Sequence, residues 1–254
     1  MKREPPLYLS LCFSSALSAP LFIHIRRAES ALLLSYNART KITTHSRLPL
    51  TLKIAWTAWV LIWAPVYFRQ YGAQNFLFYC DLGNILITVG LWAESRFILS
   101  WQAVSLLLFQ SLYAIDFIGA FVFRHHFIGG TEYMFDPAIP LLVRLLGLYH
   151  LVVPPLLLWL VRRLGCDPSA CKWATLEAWI VVPINFFWRP QYNVNFARGI
   201  AHEQHLMPPW LYLLGYLIVV PLVIYWPTQF LLRWWTRNNF ATKESHLSRS
   251  AGNR

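Results

Sequence analysis

Charge is scarce in this sequence. Asp, Glu, Lys and Arg together make up 13% of it, against about a quarter in an ordinary soluble domain. Acids are scarcer still, 11 against 22 Lys and Arg. Hydrophobic residues reach 57%, and they stand in long blocks rather than short amphipathic periods. Together these features exclude an ordinary soluble core and favour the membrane class. Cysteine is sparse too. Cys12, Cys80, Cys166 and Cys171 form no paired framework, and the five-residue step from Cys166 to Cys171 fits neither a zinc nor a thioredoxin signature. Free thiols are the default expectation. No cofactor motif and no internal repeat is present, which counts against a transporter built from repeats. The run His202-Glu203-Gln204-His205 lacks the i, i+4 histidines of the zincin motif, and no metal site is assigned. The net charge of +11 raises the question of nucleic acid. The basic residues flank the apolar blocks, where orientation signals stand, so no nucleic-acid partner is expected.

What is present is a series of apolar segments. They predict an all-α integral membrane helical bundle of about six transmembrane helices. The expected spans cover about 50–68, 75–93, 97–122, 138–161, 172–188 and 209–232, each close to the roughly 20 residues that cross a bilayer. The fifth is short. Residues 1–47 read as a basic N-terminal extension or signal-like segment with no fold of its own. Residues 48–235 form the six-span membrane domain, and 236–254 a basic tail. With the N-terminus placed inside, seventeen Lys and Arg fall on the inner side and four on the outer. That bias predicts both termini inside.

The polar residues then gather on the outer side. Asp81 lies in the outer third of the second span and Asp116 towards the outer end of the third. One outer loop holds Arg124, His125, His126, Glu132 and Asp136, and the last holds Asn193, Asn195, Arg198, His202, Glu203 and His205. His150 sits ten residues past Pro140, about 15 Å below the outer boundary at helical rise. Arg144 and His150 both lie within the fourth span, where ionisable side chains are expensive and mark function by default. Asp81, Asn84 and Thr88 share one helical stripe, and Gln110, Tyr113 and Asp116 another. Pro154 and Pro155 withhold the N–H groups that would bond the carbonyls of His150 and Leu151. A polar cavity open to the outer face is the simplest arrangement that solvates these groups. Each also has a plainer reading. His150 could bond a neighbouring helix, Asp81 and Asp116 could pair with Arg144 for packing, and Cys80 could serve as a small apolar residue.

The runs GTEYMFDPAIPLLVRLLGLYHLVVPPLLLWLVRRLG, CDLGNILITVGLWAES, NVNFARG, MPPWLYL and YWPTQFLL resemble a family of bacterial multi-pass membrane proteins described only as membrane-associated. The resemblance covers about residues 55–235 and carries no activity with it. It implies a location in the cell inner (plasma) membrane. More distantly, the layout is similar to YwaF-type integral-membrane proteins, whose eukaryotic relatives include lipid acyltransferases. There a Cys near the outer end of one helix and a His in a later helix form the proposed catalytic pair. Cys80 followed by Asp81, then His150, then an Asn-rich loop before a Pro-Trp helix start, stand here in a similar order. A His precedes the Cys in that pattern, whereas Phe78-Tyr79 stand here, which keeps the likeness at superfamily level. It implies membrane lipids as partners and acyl groups as the substrate class. Cys80 would be the nucleophile, His150 the base, and Asp81 or Asp116 the orienting acid. Arg144, Asn193, Asn195, Glu132 and Asp136 are the candidate substrate-binding residues. The alternatives are a small transporter or proton-coupled channel with Asp81, Asp116 and His150 as a relay, and a non-catalytic membrane subunit.

Overall fold

Helices follow the apolar runs closely, and no strand occurs among the described residues. The computed structural model describes residues 48–188, 190–200 and 203–237, so the expectations for residues 1–47 and for the tail past residue 237 lie outside the described residues. We label the helices α1 (Leu50–Tyr71), α2 (Tyr79–Trp92), α3 (Arg96–Phe123), α4 (Leu141–Leu164), α5 (Ala170–Phe187) and α6 (Pro209–Arg237). Of these, α1, α3, α4 and α6 are long and apolar enough to cross a membrane. The other two are not. α2 has 14 residues, about 21 Å at helical rise. α5 has 18 residues and carries Lys172 and Glu177.

α2 starts later than the apolar run does. After α1, Gly72 adopts φ 84° and Ala73–Leu77 coil into a 3-10 turn. A positive φ suits glycine, which has no Cβ to clash. α4 is broken at Leu148 into Leu141–Gly147 and Tyr149–Leu164. α6 widens into a π turn over Pro221–Tyr225, because Pro221 cannot donate to the helical ladder.

α3 is the central helix and packs on α2, α4 and α5, while α1 packs on α2 and α6 on α5. Small residues make those contacts close: Ala103, Ala170, Ala174 and Ala178 are fully buried. On α1 the buried aromatic stripe Trp56, Trp63 and Tyr67 follows helical spacing. The opposite surfaces are apolar and exposed, including Leu61 (69%), Phe121 (67%) and Val223 (63%). An apolar belt of this extent on several helices is stable facing lipid, not water.

Successive helices alternate direction, so the bundle has two ends. At one, Lys53 of α1 pairs with Glu94 of the α2–α3 turn at 2.6 Å, and Arg96 donates to the Cys166 carbonyl between α4 and α5. At the other, Tyr67 of α1 donates to the Val143 carbonyl of α4 at 3.3 Å.

Candidate functional site

The break in α4 builds the centre of the site. At the break the Leu151 N–H turns back to the Leu148 carbonyl at 3.0 Å. The Gly147 carbonyl is thereby released from the ladder, and His150 Nδ1 takes it at 2.7 Å. A carbonyl only accepts, so Nδ1 carries the proton and Nε2 is left as the basic nitrogen. The imidazole is stacked between Tyr113 of α3 (3.9 Å between centroids) and Tyr149 (4.0 Å).

Tyr149 connects this stack to α2. Its hydroxyl donates to Asp81 Oδ1 at 2.7 Å and lies beside the Cys80 thiol. Asn75, in the turn before α2, donates to Asp81 Oδ2. The Tyr149 ring also packs on Trp59 and Trp63 of α1. On the far side of the stack, the Tyr113 and Tyr133 hydroxyls share a hydrogen bond of 2.6 Å. Burial pushes the Tyr133 phenol, in the loop before α4, well above its ordinary range, and the Tyr113 hydroxyl beside it adds to that rise. A Cβ added at Gly147 would stand 3.0 Å from the Tyr133 hydroxyl and 3.2 Å from that of Tyr67. Glycine there lets the phenols crowd against the helix. Cys80, Asp81 and His150 are therefore brought together around Tyr149, and Asp81 (2% exposed) and His150 (8%) are enclosed rather than set in an open cavity. Among the described residues no hydrogen bond joins Cys80 to His150; Tyr149 links their surroundings.

Asp116 is employed differently. One oxygen accepts the N–H groups of Ile128 (2.7 Å) and Gly129 (3.0 Å). The other accepts from Thr131 Oγ1 and lies 3.1 Å from His126 Nδ1. These four contacts tie the α3–α4 loop to the end of α3. The expected partner Arg144 is elsewhere, donating to the Met134 carbonyl at 3.3 Å with its Nε unpartnered.

The candidate binding residues of the loops shape the loops. Glu132 caps the Gly130 N–H and Asp136 the Ala138 N–H. Asn195 takes a left-handed conformation, φ 56°, which asparagine tolerates. Its side chain accepts the Tyr79 N–H at 2.9 Å and donates to the Leu77 carbonyl at 2.7 Å, holding the start of α2. Asn193 bonds Gly199 and Arg198 within its own loop. Arg198 pairs with Glu203 at 2.7 Å and stacks on Phe186. His202 lies outside the described residues, and among those residues no three His, Cys, Asp or Glu side chains gather as a metal site.

A third buried acid, Glu177, did not stand out in the sequence. Glu177 of α5 is 5% exposed. Its Oε2 accepts from Trp101 Nε1 at 2.8 Å and from Ser105, both on α3. The Gln102 amide stands within hydrogen-bonding reach of the carboxyl, although neither it nor Oε1 forms a well-aligned bond among the described residues, and the Tyr79 and Tyr225 hydroxyls are near. Gln102 in turn approaches α2 at Gly83, where an added Cβ would meet its Oε1 at 3.0 Å. Next to Gly83, the fully buried Asn84 has no hydrogen-bond partner for either amide atom among the described residues. Polar groups thus continue from Asp81 along α2, across Gln102, to Glu177. The signal was available: a lone acid within an otherwise apolar helix is a functional suspect.

No family model, no curated protein and no solved structure matches this chain.

Proposed function

We propose that this is a multi-pass membrane protein that moves protons along its interior, as a small proton-coupled transporter or channel. The observation that carries the reading is the line of buried polar side chains from Asp81 through Asn84 and Gln102 to Glu177, several of whose atoms form no well-aligned hydrogen bond among the described residues. Unpartnered polar atoms inside a bilayer are destabilising, and proteins keep them where a proton, an ion or water passes. A proton on Glu177 Oε1 supplies a donor for the Gln102 carbonyl oxygen; its loss leaves an acceptor for the Gln102 amide. The side chain can bond Gln102 in either state, as a relay member must. Asp81, held by Tyr149 and Asn75, receives protons at the tyrosine end. Asp116 drops out of the relay, because both its oxygens are engaged by the loop. Six helices with alternating directions support a path that runs from one face to the other.

In vesicles containing a trapped pH indicator, an imposed pH gradient collapses faster with the protein than without it. Asp81→Asn and Glu177→Gln each slow the collapse to the protein-free rate while the protein remains folded. Unchanged flux in both variants removes this reading.

One observation favours a second reading, acyl transfer on lipids. Cys80 lies beside the Tyr149 hydroxyl, whose ring stacks on a His150 with a free basic nitrogen. In that chemistry Cys80 Sγ attacks an ester carbonyl, and His150 Nε2, brought within hydrogen-bond reach of the thiol, accepts its proton. The departing alcohol takes that proton, and the thioester passes its acyl group to water or a second hydroxyl. The likeness to YwaF-type proteins supports the same assignment. Cys80→Ala and His150→Ala then abolish phospholipid acyl exchange measured by mass spectrometry; equal turnover in the variants excludes it.

A further inference from the structure

The opposite end of the bundle carries a pocket that the proton path does not use. It has a volume of about 300 Å³ and opens where the start of α3, the end of α4 and the end of α6 meet. Three guanidinium-bearing side chains line it, Arg96, Arg233 and Arg237, with Thr236, Gly165 and Cys166. Arg96 is fixed by its bond to the Cys166 carbonyl. Among the described residues, no carboxylate lies within ion-pairing distance of any of the three arginines.

The charged neighbours offset this charge only in part, through the attraction between Arg96 and the Asp167 carboxylate. On the linker, the Asp167 carboxylate accepts the Ser169 N–H and hydroxyl at 2.9 and 2.6 Å. At the α2–α3 turn, Glu94 is paired with Lys53. On α4, Arg162 stands over the Trp235 ring and Arg163 over that of Trp159, outside the pocket. Three arginines on two elements, one on α3 and two on α6, gather around one cavity and form a positive field at this end of the bundle. The planar fork of a guanidinium matches a phosphate oxygen pair, and basic pockets between membrane helices near the bilayer surface take lipid headgroups.

We propose that this pocket binds a phosphate group, with the headgroup of an anionic phospholipid as its source in the bilayer. The ligand bridges α3 and α6 across the end of α4, and its acyl chains lie along the apolar outer surface of α6.

The full chain is reconstituted in nanodiscs of phosphatidylcholine with and without phosphatidylglycerol, and retained lipid is counted by native mass spectrometry. Wild-type protein keeps phosphatidylglycerol selectively. Arg233→Gln with Arg237→Gln weakens that retention about thirtyfold, as loss of two interfacial charges implies. Arg162→Gln with Arg163→Gln removes equal charge from the same end outside the pocket and leaves retention unchanged. Arg233→Lys with Arg237→Lys keeps the charge and restores part of the retention, which separates loss of the site from loss of fold. A second arm adds inorganic phosphate in detergent. Thermal protection by phosphate that the glutamine variant lacks identifies the free anion as a sufficient ligand of the same site. The proposal is overturned if wild type shows no preference for phosphatidylglycerol and no response to phosphate, or if both glutamine pairs reduce retention equally.

Discussion

Asp116 and Glu177 are both buried acids of the same bundle, on helices that pack together, yet their surroundings differ in kind. Asp116 has four donors converging on its two oxygens, all from the loop it holds. Glu177 has two donors on one oxygen, and its other oxygen meets no well-aligned donor among the described residues, with the Gln102 amide within reach. The first carboxylate is saturated and anchors a chain segment. The second keeps an open valence inside the membrane. Position alone, an acid in an apolar helix, would have classed them together; the count of partners separates an anchor from a group that can exchange a proton.

The largest effect should come from breaking the anchor. Asp116→Ala orphans the buried Thr131 hydroxyl, at about 1–3 kcal/mol, and takes the acceptor from the part-buried Ile128 and Gly129 N–H groups. Its thermal unfolding in detergent should fall by several degrees or more, with flux lost only in proportion to folded protein. An unchanged melt would show that the loop stands without it.

A smaller loss is expected from crowding the other end of the cluster. Gly147→Ala drives a methyl to 3.0–3.2 Å from the Tyr133 hydroxyl, Met134 Sδ and the Tyr67 hydroxyl. Overpacking of this kind destabilises by about 1–3 kcal/mol. The Tyr113–Tyr133 hydrogen bond should loosen, visible as faster hydrogen exchange in the α3–α4 loop. Unaltered exchange would mean that the phenols are not held against the helix.

The smallest effect concerns pH. Burial acts to raise the Asp167 carboxyl, but the Ser169 hydroxyl and N–H outweigh it with help from Arg96, so its pKa is lowered. A folded-state pKa below the unfolded one contributes stability above the unfolded value, about 4, and loses it as pH falls through the folded value. Asp167→Asn should melt slightly below wild type at pH 7, and the two curves should converge as pH drops below 4. A constant difference across that range would place the Asp167 contribution elsewhere.

The sequence showed the helices well, because apolar runs near the length of a bilayer crossing have few other interpretations. The start of α2 was less legible, since the 3-10 turn at Ala73–Leu77 is as apolar as the helix it precedes. The break at Leu148 had no local mark either. The prolines lie a turn and a half later, and what the break achieves, releasing the Gly147 carbonyl to His150, depends on packing against Tyr113. Asp81 and His150 could be picked out as costly residues in the membrane, but their common neighbour Tyr149 could not. A tyrosine in mid-span reads as apolar packing until its hydroxyl is seen on a carboxylate. Asn195 likewise looked like a surface group that could meet a substrate, and only its left-handed backbone turns it onto the start of α2.

The most direct test of the account is proton flux through the Glu177→Gln variant in sealed vesicles, read beside its melting curve. Glutamine keeps the size of the side chain and an acceptor for Trp101 and Ser105, but cannot exchange a proton. A proton relay through Glu177 gives a melt within about 1 kcal/mol of wild type and flux reduced to the protein-free leak. Wild-type flux in that variant would contradict it and leave Glu177 as a packing residue.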